Sequence, residues 1–186
     1  MLKRTVAACT ALLATGQVLV AAPATAAIEA LPPGCALSGT EQYIQSGYGT
    51  VVEVAGTATA NGSRVQIWGK RANAKNQKWR LMYCAGSDHR AYWNVSAQKC
   101  LDVKDYNPPH NGSAIHIWTC HGGTNQGWSY PAGPSCGSQG GSRISSHLGA
   151  QNFVLDTPNP TANGAAVQLW TGGSAAPSHS CWSLVA

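Results

Sequence analysis

The sequence predicts an all-β fold, a β-trefoil of three pseudo-threefold repeats with four strands each. Two recurrences and one absence carry that expectation. An Asn-Gly pair stands at Asn61-Gly62, Asn111-Gly112 and Asn163-Gly164, and a Trp follows each Asn seven positions later, at Trp68, Trp118 and Trp170. A second Trp closes each unit at Trp79, Trp128 and Trp182, preceded by Asn76-Gln77 and Asn125-Gln126 in the first two copies. No long apolar pattern of helical period interrupts these units.

The chain opens with Lys3 and Arg4, a mostly apolar run from Val6 to Val20, and Ala24-Thr25-Ala26. That layout is a secretory signal peptide over residues 1–27, so an exported, extracellular protein is expected. Residues 28–40, rich in Pro, Gly and Ala, read as a lead-in segment, and residues 41–186 as the trefoil. No other apolar run reaches the roughly 20 residues a membrane span needs. Without Lys3 and Arg4 the formal charge falls from +5 to +3, and the remaining basic residues are scattered. Nucleic acid is therefore not an expected partner.

In the first repeat, about 41–84, four short segments enriched in branched and aromatic residues are bounded by Gly, Asn or Ser: Tyr43–Gln45, Val51–Val54, Val65–Trp68 and Lys78–Leu81. The second, about 89–133, repeats them at Ala91–Val95, Cys100–Val103, Ala114–Trp118 and Gly127–Tyr130. The third, about 142–186, does so at Arg143–Ser145, Phe153–Asp156, Ala166–Trp170 and Trp182–Val185. The spacing from Trp68 to Trp118 is 50 residues and from Trp118 to Trp170 is 52, too long for most short-period solenoids. Three propeller blades are too few to close, whereas three units about one axis close a barrel and leave no open edge.

Alternation along a strand separates Val65 and Ile67 from Gln66 and Trp68. With the aliphatic pair in the core, Trp68, Trp118 and Trp170 are displayed outward, and Leu101 and Val103 face in while Asp102 faces out. A Cys100–Cys120 bridge joining opposed positions of an antiparallel pair sets Asp102 directly across from Trp118. An indole beside a carboxylate and amides suits a sugar: the pyranose C–H face stacks on the ring, and the polar groups bind its hydroxyls. A single outward Trp ordinarily lies under a loop, and Asn-Gly is first a turn former. The threefold recurrence of Trp with an acid is what points to a ligand. Trp79, Trp128 and Trp182 belong to the core, with Gln77 and Gln126 bracing the turn before them.

Six cysteines remain after Cys9, an even number that implies disulfides in an oxidising compartment. They contain no Cys-x-x-Cys or close Cys/His cluster, so neither a metal nor a cofactor is expected. The sequons at Asn61, Asn94 and Asn111 coincide in two cases with the Asn-Gly turns, which suffice to explain them.

Cys100-Leu101-Asp102-Val103, Asn111-Gly112, Ile117-Trp118-Thr119-Cys120-His121-Gly122-Gly123 and Asn125-Gln126-Gly127-Trp128 resemble the repeat of the ricin B chain type of lectin. That family of triple Gln-x-Trp repeats includes family 13 carbohydrate-binding modules, and the resemblance covers about Glu41 to Ala186. It implies up to three shallow sites for galactose- or xylose-type sugars or polysaccharides. Carried onto the second repeat, the sugar-binding residues are Asp102, Trp118 and Asn125, with Gln126 supporting, His121 an extra contact, and His116 where Gln is usual. The first repeat offers Gln66, Trp68, Asn76 and Gln77 but has Glu53 in place of Asp, and the added methylene displaces the carboxylate. The third offers Asp156, Gln168 and Trp170 but carries His179, Ser180 and Cys181 within the motif, which predicts a different closing turn. The second site is thus the best preserved. Cys35, Cys84, Cys136 and Cys181 leave three pairings open, among which Cys35–Cys84 with Cys136–Cys181 is favoured.

A glycosidase needs two placed carboxylates, yet the acids at 53, 102 and 156 fall at equivalent positions of different repeats. No Gly-x-Ser-x-Gly or His-Glu-x-x-His occurs. A binding protein rather than an enzyme is expected. The alternative is a trefoil interaction module, such as a protease inhibitor or the targeting partner of a separate toxin or enzyme chain, with specificity in loops such as 105–110.

Overall fold

The computed structural model describes residues 29–129, 136, 140–149, 152–172 and 178–186. The expected signal peptide, and Tyr130 to Gly133 at the end of the second repeat, lie outside them. The strands are β1 (Cys35–Leu37), β2 (Tyr43–Ser46), β3 (Thr50–Val54), β4 (Val65–Gly69), β5 (Trp79–Cys84), β6 (Ala91–Asn94), β7 (Cys100–Val103), β8 (Ile115–Trp118), β9 (Phe153–Asp156), β10 (Gln168–Thr171) and β11 (Trp182–Val185). Ten of the twelve expected segments are strands. The other two, around Trp128 and Ser145, are isolated bridges. Both lie in Gly- or Ser-rich sequence, which holds an extended ladder poorly.

Two further differences concern the lead-in and the turns. Residues 35–37 form β1, which pairs with β5 from Cys35↔Cys84 to Leu37↔Met82, so the lead-in extends the sheet. Three short 3-10 turns, Lys75–Gln77, Thr124–Gln126 and Ser178–Ser180, stand where none had been expected, each just before a closing Trp.

The central hairpin of each repeat sends its inward residues to one core. Val52, Val54, Val65 and Ile67 meet Leu101, Val103, Ile115 and Ile117, and Phe153, Leu155, Val167 and Leu169, around Trp79, Trp128 and Trp182. Burying a side chain of this size contributes about 1.5–3 kcal/mol. The closing Trp residues also tie successive repeats. Trp79 pairs with Gln42 and Asn94, Trp128 with Arg90 and Ser146, and Trp182 with Ser142 and Ser46. The last of these joins β11 to β2 and closes the barrel.

The Asn-Gly turns add a second ring of contacts. Gly62, Gly112 and Gly164 adopt φ of 82°, 89° and 81°, a left-handed backbone that favours glycine. Asn61 Oδ1 accepts the Thr119 N–H at 2.8 Å, Asn111 Oδ1 the Thr171 N–H at 2.7 Å, and Asn163 Oδ1 the Gly69 N–H at 2.8 Å. Each repeat therefore fastens the residue after the displayed Trp of the next, and the cycle returns to its start.

Three disulfides are present, Cys35–Cys84, Cys100–Cys120 and Cys136–Cys181. The register inferred from the second is corrected. Cys100 lies opposite Trp118 and Asp102 opposite His116. β8 ends at Trp118, and Cys120 lies beyond it, so the bridge runs diagonally back to Cys100 rather than between opposed positions. The same offset recurs without any cystine at Glu53↔Gln66 and Asp156↔Gln168. The apolar pattern, not the disulfide, sets the register.

Candidate functional site

Each repeat places one acid on the outer face of its central hairpin, and each acid is buried: Glu53, Asp102 and Asp156 are exposed by 2%, 3% and 0%. A buried carboxylate needs donors, and it can accept about four hydrogen bonds. How the donors are filled separates the three sites.

In the second repeat, His116 Nε2 lies 3.0 Å from Asp102 Oδ1, while Asn125 Nδ2 and Gln126 Nε2 donate to Oδ2 at 2.9 and 2.8 Å. His116 supplies from the opposed strand position what Gln66 and Gln168 supply in the other repeats. Gln126 also donates to the Thr119 carbonyl and accepts the His121 N–H, so it braces the turn. His121 Nε2 stands 3.5 Å from Asp102 Oδ2. Trp118 lies diagonal to Asp102 on the same face, stacked against His116 at 5.4 Å between ring centroids and 41% exposed.

These groups line a shallow depression of about 280 Å³, in which Asp102, His116, Trp118, His121 and Asn125 meet Lys104, Asp105 and Tyr106. Lys104, Asp105 and Tyr106 had not been assigned to the site. For Asp105 and Tyr106 the signal was the loop 105–110, read as an interaction loop but not connected with Asp102. Asp102 thus has three close side-chain donors of the about four that a carboxylate accepts, which leaves capacity for one more.

The first repeat brings the same residue types together but fills the carboxylate. Gln66 donates to Glu53 Oε1, and Arg71, Asn76 and Gln77 donate to Oε2. The Arg71 guanidinium also lies 5.8 Å from the Trp68 ring centroid. Arg71 stands three positions after Trp68, as His121 stands three after Trp118, and that alignment was the available signal for it.

In the third repeat the expectation of a different closing turn is corrected. Ser178–Ser180 keeps the 3-10 turn, and His179 Nδ1 and Ser180 Oγ both lie 2.6 Å from Asp156 Oδ1, in the places of Asn and Gln. Gln168 donates to Oδ2 at 2.9 Å. The changed residues preserve the arrangement because the carboxylate needs only their hydrogens. Trp170 is 38% exposed.

The three closing indoles are buried as expected, each N–H donating to the carbonyl just before its acid: Trp79 to Val52, Trp128 to Leu101 and Trp182 to Leu155. No helix among the described residues is long and apolar enough to cross a membrane.

No curated protein sequence matches the chain. Among solved structures it is similar to ThreeFoil, a designed threefold symmetric protein, at 22% identity and a TM-score of 0.66 over 78% of this chain and 98% of that one. It is also similar to the exo-β-1,3-galactanase 1,3Gal43A of Clostridium thermocellum, at 24% identity and a TM-score of 0.66 over 80% of this chain but only 30% of that one. The Macrolepiota procera ricin B-like lectin, solved with lactose, matches at 18% identity and a TM-score of 0.59 over 80% and 96%. These likenesses establish the β-trefoil. The family described as ricin-type beta-trefoil lectin domain-like matches residues 75–170, more than half of the sequence, and the chain belongs to that family.

Proposed function

We propose that this is a secreted carbohydrate-binding protein that recognises galactose- or xylose-type sugars or polysaccharides, chiefly through its second repeat. One observation carries the reading: Asp102, held by His116, Asn125 and Gln126, opens on a depression flanked by the exposed Trp118. The indole offers a stacking face, and the carboxylate, Asn125 and His121 offer hydroxyl partners at its base. The lactose in the Macrolepiota procera structure and the similarity to part of an exo-β-1,3-galactanase support the galactose side of the choice. The third repeat, with Asp156 and Trp170, is a weaker site, and Arg71 closes the first.

The placement of the acids supports a reading of binding rather than hydrolysis. Glu53, Asp102 and Asp156 sit one per repeat, each enclosed by donors of its own repeat, whereas glycosidases flank one bond with two carboxylates. Export is supported by the leader-like residues 1–27 and the three disulfides. A glycan array followed by affinity chromatography tests the reading. The protein is expected to be retained on a galactose- or xylose-bearing matrix, and Trp118→Ala and Asp102→Ala to pass through. Equal retention of both variants overturns the proposal.

A further inference from the structure

Asp88 and His89 lie in the connection between β5 and β6, and His147 lies in the third repeat, 58 residues further on. The fold brings them together around Trp128, whose backbone pairs with Arg90 on one side and Ser146 on the other. The His147 N–H donates to the Gly127 carbonyl at 3.0 Å. The His89 ring lies so close over Gly127 that a Cβ there would meet His89 Cδ2 at 2.7 Å. Gly127, the variable position of the motif, therefore lies under the His89 ring and also holds the backbone of His147.

His89 Nδ1 stands 3.2 Å and His147 Nδ1 3.9 Å from Asp88 Oδ1, and the two rings are 4.9 Å apart. One donor atom from each of the three residues falls within 4.8 Å of the other two, the only such group of three among the described residues. In a tetrahedral zinc site with metal–ligand distances of roughly 2.0–2.2 Å, donors stand roughly 3.3–3.6 Å apart. The Asp88 side chain is 86% exposed and free to complete that spacing, while the histidines, 17% and 31% exposed, are held. Asp88 and His89 also border a solvent-open hollow with Gly122 and His121, which gives room for a water ligand.

We propose that Asp88, His89 and His147 form a site for a borderline divalent transition metal ion, with Zn²⁺ as the probe. Two imidazoles and one carboxylate suit such an ion and not Mg²⁺, which takes oxygen ligands. The metal would pin the entry of the second repeat to the start of the third. Cysteine spacings alone predict no metal, and His147 is distant in sequence from Asp88 and His89.

Isothermal titration of the tag-free, EDTA-stripped protein with ZnCl₂ tests this. One ion per chain is expected, with a rise in Tm and no response to MgCl₂. Asp88→Ala and His147→Ala are each expected to weaken binding at least about tenfold, or 1.4 kcal/mol, and to abolish the rise. Because Asp88 is exposed, its variant keeps the test free of misfolding. His110→Ala is expected to bind as the parent does. No saturable zinc heat below about 1 mM, unchanged affinity in both ligand variants, or loss in His110→Ala overturns the assignment.

Discussion

Arg71 donates to the Glu53 carboxylate, which accepts four side-chain hydrogen bonds where Asp102 and Asp156 each accept three. The pair unites an exposed guanidinium with a carboxylate that is 2% exposed, and it draws the cation over Trp68. In the second repeat the position of Arg71 belongs to His121, and the carboxylate keeps spare capacity. Arg71 and the longer Glu53 side chain together separate the closed site from the open one.

Arg71→Ala is accordingly expected to uncover Trp68 at a cost in stability of about 1 kcal/mol, small because the arginine is half exposed. Alone it restores no binding, since Glu53 keeps the longer side chain. Combined with Glu53→Asp, it is expected to add one sugar per chain in a calorimetric titration. An unchanged stoichiometry in the double variant would count against the closure argument.

The two Trp classes separate by burial. Trp118 is 41% exposed and Trp128 fully buried with its N–H satisfied by Leu101. Trp118→Ala is expected to abolish sugar retention while shifting the denaturation midpoint little. Trp128→Ala is expected to lose about 3–5 kcal/mol of stability, read by chemical denaturation. Similar losses of stability in both variants would mean that Trp118 is structural.

What the sequence made legible was periodic. The inward aliphatic residues, the buried closing Trp residues and the displayed Trp118 and Trp170 follow from strand alternation and from their repetition. The pairing of Asp102 with His116 did not, because a disulfide need not join opposed residues, and its diagonal reach misplaced the carboxylate by two positions. Arg71 was missed because its role depends on a side chain folding back over Glu53, which shows only when its place after Trp68 is aligned with that of His121 after Trp118. The retained turn at Ser178–Ser180 shows the converse: His179 and Ser180 break the motif as letters while keeping its donors.

Glu29 ties the lead-in to the second repeat. The Lys99 ammonium first, and then the Thr119 hydroxyl, hold its carboxyl below the ordinary 4.5 against the opposing effect of burial. The lowered folded value means that the contribution is present above about pH 4.5 and is lost as pH falls through the folded pKa. With the side chain 36% exposed it amounts to well under 1 kcal/mol. Glu29→Gln is expected to lower Tm slightly at pH 7, with the gap to the parent closing as pH falls through the lowered folded pKa. A gap that persists at low pH would locate the effect outside ionisation.

Asn111 fastens the second repeat to the third. Its Oδ1 accepts both the backbone N–H and the hydroxyl of Thr171, at 2.7 and 2.8 Å, one repeat further along the chain. Asn61 does the same for Thr119 in the second repeat, so the turn of the first repeat secures the residue next to Trp118. Both contacts are exposed, and each hydrogen bond contributes about 1 kcal/mol. Asn61→Ala is therefore expected to cost about 1 kcal/mol and also to weaken sugar binding, since it frees Thr119 beside the displayed indole. Asn111→Ala is expected to cost a similar amount while leaving binding at the second repeat unchanged, because it acts on Thr171. Paired denaturation and sugar-binding titrations check the contrast. Equal losses of binding in the two variants would show that the turns act only through overall stability.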